Sequence, residues 1–330
     1  MRKIILFVCV VVVFCYSCNN SAPTTITKTD SVVVTVVVDT VRERFLLDSV
    51  LKQFETPSQY LKASAIHPAK VTGSKGTIIS IFPDDLMTLS GKPLGNHIDI
   101  ELKELTTSEE FARNRAATVS DLKLLVSGGA YYIHMTTGGD TLKLKPGKAL
   151  NVQFPILDKE NMFLFYGKKD ITGQMNWRPS GQDLKVIEGY LPDPRKEGER
   201  EVKTNEKPSS VYNEILVENL DWINCDYFAS SENLTQLSVD IDKSDSFVYI
   251  ASYIIFKDVN SVMTSFERVS GTINKIYGVP VGANVAFVAI ATKNNKLYAY
   301  KSELKVTEGQ MLHIKLKETP ASDVANLFKI

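Results

Sequence analysis

The stretch Ile98-Asp99-Ile100-Glu101-Leu102-Lys103 alternates strictly between apolar and charged side chains. Successive side chains of a β-strand point to opposite faces of its sheet, so this period of two predicts a strand with one dry face and one wet face. Such half-buried strands are typical of antiparallel sheets that cover a core on one side. The stretch therefore predicts a layered, mainly β fold.

Similar strand signals surround this stretch at intervals of roughly ten residues. Gly138-Gly139-Asp140 lies between two of them and predicts a tight hairpin. The Thr-Ser pair at 107–108, followed by two glutamates, is placed to cap a short helical turn. Short strands with few helices predict a first β-sandwich, to which we assign residues 55–177. Its other predicted strands are 77–82, 130–136, 141–145, 150–154 and 162–166.

The second half of the chain repeats the pattern. Asn294-Asn295 predicts a tight turn between two strands, and Pro320 followed by apolar residues predicts a short C-terminal helix. We assign residues 211–330 to a second β-sandwich. Residues 178–210 cluster Pro, Gly, Lys and Glu, and this composition predicts a charged linker. The predicted strands of the second sandwich are 223–228, 237–241, 247–256, 285–291, 296–300 and 311–317.

The first residues carry the pattern of an export signal. Two basic residues precede an apolar run at 4–14, and the small residue Ser17 stands before Cys18. This pattern predicts a signal peptide over residues 1–17. The apolar run is shorter than the roughly 20 residues of a membrane-spanning helix, which disfavours a retained anchor.

The segment Phe14-Cys15-Tyr16-Ser17-Cys18 resembles the lipobox of bacterial lipoproteins, in which the cysteine is lipidated and becomes the first mature residue. The resemblance implies a lipid on Cys18 and a membrane contact through that lipid. Cys15 stands where leucine is usual, so simple secretion and an uncleaved anchor stay open as alternatives. Residues 18–54 are predicted to form a tether, with a strand at the valine-rich run 31–38 and a short amphipathic helix at 41–54.

Charge balance and cysteine usage exclude some classes of function. Lys and Arg number 38 and Asp and Glu number 38, so the net charge is zero and nothing favours a nucleic-acid partner. Cys225 is the one cysteine that follows the lipobox segment, which excludes an intramolecular disulfide after processing. The apolar residues around it predict a buried, unreactive thiol.

No arrangement of residues predicts catalysis, a cofactor or a metal ion. Residues 240–245 begin like a calcium loop but have Asp245 where the loop requires glycine. Gly73-Ser74-Lys75-Gly76-Thr77 lacks the spacing of a phosphate-binding loop. We expect Trp222 in the core and leave Trp177 open as a core or surface residue. The isolated histidines are His67, His97, His134 and His313, and the acidic pairs expected in solvent are Asp84 with Asp85 and Glu101 with Glu104.

Five segments together carry a family resemblance: 76–83 (GTIISIFP), 90–93 (SGKP), 98–104 (IDIELKE), 124–131 (LLVSGGAY) and 222–226 (WINCD). In this order they resemble a family of Bacteroidota envelope lipoproteins with no established activity, so the resemblance implies no catalytic residues. The first half is also loosely similar to the ZU5 β-sandwich. ZU5 domains are interaction modules, which implies binding rather than catalysis.

The resemblance to Bacteroidota lipoproteins also implies modification sites and a location. Asp-Ser or Asp-Thr before an apolar residue is similar to the O-glycosylation acceptor of exported proteins in that phylum, and it occurs at Ser31, Thr40, Ser49 and Thr141. The same dipeptides are common in turns and helix caps. Asn19-Asn20-Ser21-Ala22-Pro23 lacks the acidic signal of surface-displayed lipoproteins. We therefore expect the periplasmic face of the outer membrane.

The sequence thus predicts a lipid-anchored outer-membrane protein that binds or scaffolds a partner in the cell envelope and is not an enzyme. The alternative is a carbohydrate-binding accessory lipoprotein of a glycan-uptake system, because aromatic side chains can stack on sugars. An exposed platform of two or three aromatic rings would favour this alternative.

Overall fold

The computed structural model describes residues 42–156, 162–170, 173–184, 215–231, 233–242, 247–268 and 273–330. The predicted signal peptide, the lipidation site Cys18 and the valine-rich run 31–38 lie outside these ranges, as do the predicted acceptors Ser31 and Thr40. Residues 185–214, which include most of the predicted linker, also lie outside them.

The chain between residues 42 and 228 builds a helix, α1 (42–52), and then the first sandwich. The sandwich consists of β1 (Gln59–Ser64), β2 (Ala69–Thr72), β3 (Ile78–Ile81), β4 (Leu86–Thr88), β5 (His97–Leu105), α2 (Ser108–Arg113), β6 (Val119–Ser120), β7 (Lys123–Thr137), β8 (Asp140–Leu144), β9 (Leu150–Gln153), β10 (Met162–Lys169), β11 (Met175–Leu184), β12 (Ile215–Val217) and β13 (Asp221–Phe228).

The second sandwich follows and ends in a short helix. It consists of β14 (Leu234–Ile241), β15 (Tyr249–Phe256), β16 (Val262–Arg268), β17 (Asn274–Pro280), β18 (Asn284–Lys293), β19 (Lys296–Lys305), β20 (Met311–Ile314), β21 (Lys317–Glu318) and α3 (Val324–Leu327). The mainly β architecture predicted from the sequence is confirmed, with short helices near both ends of the described chain.

Two sheets face each other in the first sandwich. Sheet 1 has the order β1-β5-β7-β13-β10-β11, with β6 and β8 attached to β7 and β4 attached to β8; sheet 2 has the order β12-β9-β3-β2. In β5, Ile98, Ile100 and Leu102 are buried in the core between the sheets, as the alternation predicts. Lys103 is on the opposite face and is buried as well; its Nζ donates to Glu55 Oε2, just after α1, at 3.1 Å, which compensates the burial of its charge.

The predicted hairpin turns are confirmed. Thr137 pairs with Asp140 across Gly138 and Gly139, whose φ angles are +55° and +81°. Lys293 pairs with Lys296 across two asparagines with φ angles of +52° and +61°. Positive φ at both central residues is the geometry of the tight turn that matches strand twist, and glycine and asparagine tolerate it best.

The sequence predicts that the second sandwich starts at residue 211, but the first two strands after this residue belong to the first sandwich. β12 pairs with β9, and β13 lies between β7 and β10 in the middle of sheet 1. β13 belongs there because Ile223 and Cys225 complete the core of the first sandwich. At the other end of the predicted linker, β11 continues to Leu184. The first sandwich therefore includes strands from both sides of the predicted linker.

Sheet 3, with the order β16-β15-β18-β19-β21, faces sheet 4, with the order β17-β14-β20. Sheet 3 is apolar on both faces. In β18, Phe287 and Ala289 lie in the core against sheet 4, whereas Val288 and Ile290 lie in a third core, the middle core, on the other side. The middle core also contains Leu47 and Leu51 of α1, Phe111 of α2, Phe165 and Trp177 of sheet 1, and Val324 and Phe328 at the C-terminus.

The middle core makes the two sandwiches one body, and residues 43–330 form a single compact unit. Asn260, in the turn between β15 and β16, forms hydrogen bonds with the first sandwich. Its Nδ2 donates to the carbonyl oxygens of Ser127 (2.8 Å) and Thr106 (3.1 Å), and its Oδ1 accepts from Ser108 Oγ at 3.0 Å. Its carbonyl oxygen accepts from Ser127 N at 3.0 Å.

We predict that Asn260→Ala lowers the free energy of unfolding by about 2–4 kcal/mol, because three side-chain hydrogen bonds between the sandwiches are lost. Urea unfolding followed by circular dichroism measures the change. Asn284→Ala is the matched control: its amide bonds to Asp258 Oδ2 at an exposed site, so its loss should stay below about 1 kcal/mol. Equal losses in the two variants would contradict the role of Asn260.

Candidate functional site

Two of the resemblance segments, 124–131 and 222–226, lie side by side as neighbouring strands β7 and β13. Their register shifts between Asn224 and Asp226, so that Gly128 and Gly129 together lie opposite Cys225. This is a β-bulge. Gly129 has a φ of +126°, and a Cβ atom there would lie 2.4 Å from Tyr131 Oη. Gly128 and Gly129 therefore form a bulge inside the long strand β7.

The bulge surrounds a buried acid. Asp226 is fully buried; its Oδ2 accepts from Asn224 Nδ2 at 2.5 Å, and its Oδ1 has no hydrogen-bond partner among the described residues. Burial raises the pKa of Asp226 well above its ordinary value, and Ser127 opposes the shift only in part. Burial, and then the neighbouring Asp226, also raises the pKa of the Cys225 thiol. The predicted burial of Cys225 is confirmed, and its low reactivity stays a prediction that the raised pKa supports.

The glycine-containing stretch 73–77 is a loop that holds a protein carboxylate. The backbone amides of Lys75 and Thr77 donate to Glu104 at 2.9 and 3.1 Å, and Gln59 Nε2 donates to it at 2.7 Å. Burial alone would raise the pKa of Glu104, but these hydrogen bonds outweigh it and leave the pKa below its ordinary value. The loop amides that could have bound a phosphate are thus occupied. Glu104 is also buried, not in solvent as predicted.

Three of the histidines lie beside an aspartate. The ring nitrogens of His97, His134 and His313 lie 3.3, 3.2 and 2.9 Å from carboxylate oxygens of Asp99, Asp221 and Asp240 respectively. His67 is exposed. Among the described residues, no group of three or more His, Cys, Asp or Glu side chains could hold a metal ion. Residues 243–245 of the calcium-like stretch lie outside the described ranges.

Two of the predicted glycosylation acceptors are described. Ser49 is exposed on α1, and Thr141 is half-buried in β8, where it pairs with Thr136. Both stay predictions. Trp177, which the sequence left open, is fully buried, and its Nε1 donates to the Ala117 carbonyl at 2.6 Å. Trp222, expected in the core, is half-buried and packs against the middle core.

Trp222 belongs to a group of rings on the outer side of sheet 1, which we call the aromatic face: Tyr60, Tyr132, His134 and Trp222. The centroids of Tyr132 and Trp222 are 5.2 Å apart, and Tyr132 and His134 are stacked at 6.1 Å with nearly parallel planes. Tyr60 is 79% exposed. Strand register places it in one row with Glu101 and His134.

A shallow groove of about 270 Å³ runs between Tyr60 and His134, with Lys62, Asp99 and Glu101 in its lining. At the other end of the aromatic face, Lys169 Nζ lies 5.3 Å from the centroid of the Trp222 ring and donates to the Asn114 carbonyl at 2.9 Å. Burial lowers the pKa of Lys169 to about 8; Glu55 opposes this shift, and the nearby positive charges of Arg115, Lys103 and Lys52 add to it. Burial, and then Asp221 and Glu101, raises the pKa of Tyr132 to about 12.

A larger groove of about 490 Å³, the junction groove, lies where the two sandwiches meet. One side belongs to the first sandwich and the other to the second, and the described lining residues are Ala117, Val119, Asp121, Leu122, Asp170, Gln174, Met175 and Asn176 on the first side and Met263, Thr264, Ser265, Lys275, Ile276 and Tyr277 on the second. The lining is largely apolar or uncharged; its ionisable side chains among the described residues are Asp121, Asp170, Lys275 and Tyr277. Of these, Tyr277 is an exposed ring, 55% accessible.

The rim of the junction groove carries a strained turn. Asp121 and Leu122 connect β6 to β7 with φ angles of +45° and +68°, and Leu122 is 72% exposed. The left-handed region costs an ordinary side chain about 1–2 kcal/mol, and glycine or asparagine would avoid most of this cost. Asp121 is held there by Asn176, since Asp121 N donates to Asn176 Oδ1 (3.0 Å) and Asn176 Nδ2 donates to Asp121 Oδ1 (3.1 Å).

Neither groove was predicted from the sequence. No strand was predicted at β1, β16 or β17, which supply Tyr60, Thr264 and Tyr277. The mixed run Met263-Thr264-Ser265-Phe266 does carry a weak signal, because its apolar and hydroxyl side chains would suit a strand of intermediate burial. Nothing in the dipeptide Asp121-Leu122 signals a left-handed turn.

Comparison of the chain with protein-family models, with curated proteins and with solved structures finds no match in any of the three. None of the helices in the described part of the chain combines the length and the apolar character needed to cross a bilayer.

We predict that Asp226→Asn stabilises the protein increasingly as the pH rises. The folded-state pKa of Asp226 lies above its unfolded value, so the native state holds the proton more tightly; the stability this provides is complete below about pH 4 and is lost as the pH rises toward the folded pKa. The wild type should lose up to about 1.4 kcal/mol per pH unit relative to the variant in this window. Urea unfolding of both proteins across the window measures the difference.

Asp221→Asn is the control, because Asp221 lies on the same strand with an exposed carboxylate. A pH-independent difference between wild type and Asp226→Asn would show that Asp226 ionises in the folded protein as it does in the unfolded chain.

Proposed function

We propose that the protein is a lipid-anchored, non-catalytic binding protein of the cell envelope, held by Cys18 at the periplasmic face of the outer membrane. The export signal and the lipobox-like segment 14–18 support the anchor. The observation that carries the binding role is the junction groove, a concave surface between two rigidly joined sandwiches with a strained, exposed leucine on its rim. Backbone strain of this kind concentrates at ligand contacts and other functional positions.

The lining of the junction groove favours binding over turnover. General acid–base or nucleophilic chemistry needs at least two reactive side chains within hydrogen-bond reach of one substrate atom. In the groove, Asp121 is engaged with Asn176, and Asp170 accepts from the backbone amide of Gln174 at 3.0 Å. The described lining includes no histidine, cysteine or glutamate. The buried acid Asp226 is remote from solvent and has no access for a substrate.

A glycan-binding role is the second candidate, and the aromatic face favours it. Tyr60 presents an exposed ring, and Tyr132, His134 and Trp222 continue the row of rings across the sheet. Sugar rings stack on aromatic faces, while carboxylates such as those of Asp99 and Glu101 can accept hydrogen bonds from sugar hydroxyls. The groove beside Tyr60 holds both kinds of group.

The anchor is tested by metabolic labelling with a palmitate analogue in a bacterium that processes lipoproteins. We expect the wild type and Cys15→Ala to be labelled and Cys18→Ala to remain unlabelled, because only Cys18 occupies the modified position of the lipobox. Mass spectrometry of the mature N-terminus should find Cys18 first. Labelling of Cys18→Ala at the wild-type level, or an unlabelled wild type, would remove the anchor from the proposal.

The glycan role is tested by affinity electrophoresis of the protein in gels containing bacterial envelope or plant polysaccharides. Loss of one stacking ring should weaken binding by roughly 3- to 10-fold, so Tyr60→Ala should migrate faster than the wild type in a retarding gel. Tyr277→Ala is the matched control, since Tyr277 is also an exposed tyrosine on a strand but lines the junction groove. If no polysaccharide retards the wild type, or if both variants behave alike, the glycan role fails.

A further inference from the structure

We propose that the outer edge of β16, inside the junction groove, binds an extended polypeptide segment of a partner by strand addition. The inference rests on the proposed binding function and deepens it, since it names the site and the chemical class of the ligand. Four features of the described residues support this proposal. They are the direction of the backbone groups of β16, the pairing of its outer edge with Thr118 alone, the unpartnered hydroxyl of Thr264, and the apolar lining of the junction groove.

β16 is the outermost strand of sheet 3. It pairs with β15 in one unbroken antiparallel register, from Tyr249 opposite Arg268 to Ile255 opposite Val262. In an antiparallel pair, successive residues direct their N–H and C=O groups alternately toward the partner strand and away from it. Half of the backbone groups of β16 therefore point away from β15.

The hydrogen bonds of Val262 show which residues of β16 have backbone groups that point away from β15. Its carbonyl oxygen accepts from Thr118 N at 2.8 Å, and its N–H donates to Thr118 Oγ1 at 2.8 Å, so both groups of Val262 point away from β15. Because the register has no bulge, the groups of Thr264 and Phe266 point the same way, and those of Met263 and Ser265 point to β15.

Thr118 occupies the first position that a strand added to β16 would take. The chain then turns away, and Val119 and Ser120 pair with β7 instead. No described strand continues along β16 beyond Val262. A row of free backbone donors and acceptors at the edge of a sheet is a template for another strand. The pairing that Thr118 begins is thus left for another segment to extend over Thr264, which lines the junction groove, toward Phe266, which lies beyond the groove lining.

The side chain of Thr264 adds an independent observation. Its Oγ1 is buried and has no hydrogen-bond partner among the described residues, although Thr264 lines the junction groove. A buried hydroxyl without a partner is costly, and such groups in native proteins call for an explanation. A ligand that lies against β16 would supply the missing partner.

The junction groove has the size and the lining for a short extended segment. Its volume of about 490 Å³ falls within the usual range for binding pockets, roughly 300–1,000 Å³. Met263 and Ile276 provide an apolar wall, and Leu122 projects at the rim. Side chains of an added strand alternate between its two faces, so one apolar side chain of the ligand would meet this wall while the next points to solvent.

A polypeptide matches this site better than a sugar or a lipid does. The outward groups of Thr264 and Phe266 repeat a donor and an acceptor at strand spacing, and another extended backbone presents the complementary repeat. The affinity for the peptide then comes from main-chain hydrogen bonds. The preference for one peptide sequence over another comes from the peptide's apolar side chain that contacts Leu122 and Ile276. Lys275, also in the lining, would favour an acidic residue near this apolar side chain.

The premise is tested by amide hydrogen exchange in the free protein, measured residue by residue. We expect the amides of Thr264 and Phe266 to exchange roughly 100-fold or more faster than those of Met263 and Ser265, because only the latter two bond to β15. Slow exchange at Thr264 in the free protein would show that the edge is already paired and would overturn the proposal.

Binding is tested by selecting a displayed library of random linear peptides against the full chain. The selected peptides should share an alternating apolar pattern, and they should slow exchange at Thr264 and Phe266. Thr264→Pro removes the outward N–H without removing a bond to β15, and proline is tolerated on an edge in that position, so it should weaken binding by roughly 10-fold or more. Thr264→Ser, which keeps the N–H and the hydroxyl, should bind within about 2-fold of the wild type.

Methylation of alternate backbone nitrogens of a selected peptide should also abolish binding. Because it leaves the protein unchanged, this experiment tests the proposal even if Thr264→Pro fails to fold. Binding that tolerates both the methylated peptide and Thr264→Pro overturns the proposal. Failure to select any linear peptide does so too. A chain that is labelled on Cys18 or binds a polysaccharide while selecting no peptide retains the proposed function and loses only the strand-addition site.

Discussion

The structure depends on the burial of both faces of sheet 3. Most antiparallel sheets leave one face to water, but β15 and β18 carry apolar side chains on both sides, so each face must be covered. Sheet 4 covers one face. The other is covered by the middle core, which joins α1, α2, the C-terminal helix and the inner end of sheet 1. Because apolar burial stabilises in proportion to area, this arrangement fixes the position of the second sandwich against the first.

The fixed position of the sandwiches explains why a groove exists between them. Hydrogen bonds at Asn260 and Thr118 hold the start of β16 against the first sandwich, and the turn at Asp121 and Leu122 forms part of the groove lining beside it. A groove between rigidly joined bodies is largely formed before a ligand arrives, which reduces the ordering cost of binding. Buried polar groups such as Asn224 and Asp226 lie away from the groove and serve the bulge in sheet 1.

Much of the strand pattern could be predicted from the sequence, because alternation, as at 98–103, and turn residues, as at 138–140, are local signals. The middle core could not, since it joins residues as distant as Leu47 and Phe328. One sign of it was present: residues 285–291 are continuously apolar, unlike the alternating 98–103, and a run of this kind predicts a strand buried on both faces. The insertion of β13 between β7 and β10 is likewise a long-range pairing. For the candidate sites, the spacing of the glycine loop 73–77 already argued against a phosphate-binding loop. Tyr60, Leu122 and Thr264 could not be identified from the sequence, because their role depends on residues across the grooves that are distant in sequence.

We infer that the two sandwiches form one cooperative body through the middle core and so present a preformed groove. Differential scanning calorimetry of the intact protein tests this inference. We expect one transition over residues 43–330 whose calorimetric and van't Hoff enthalpies agree. Two separate transitions, one for each sandwich, would contradict it, because each sandwich would then be stable without the core they share.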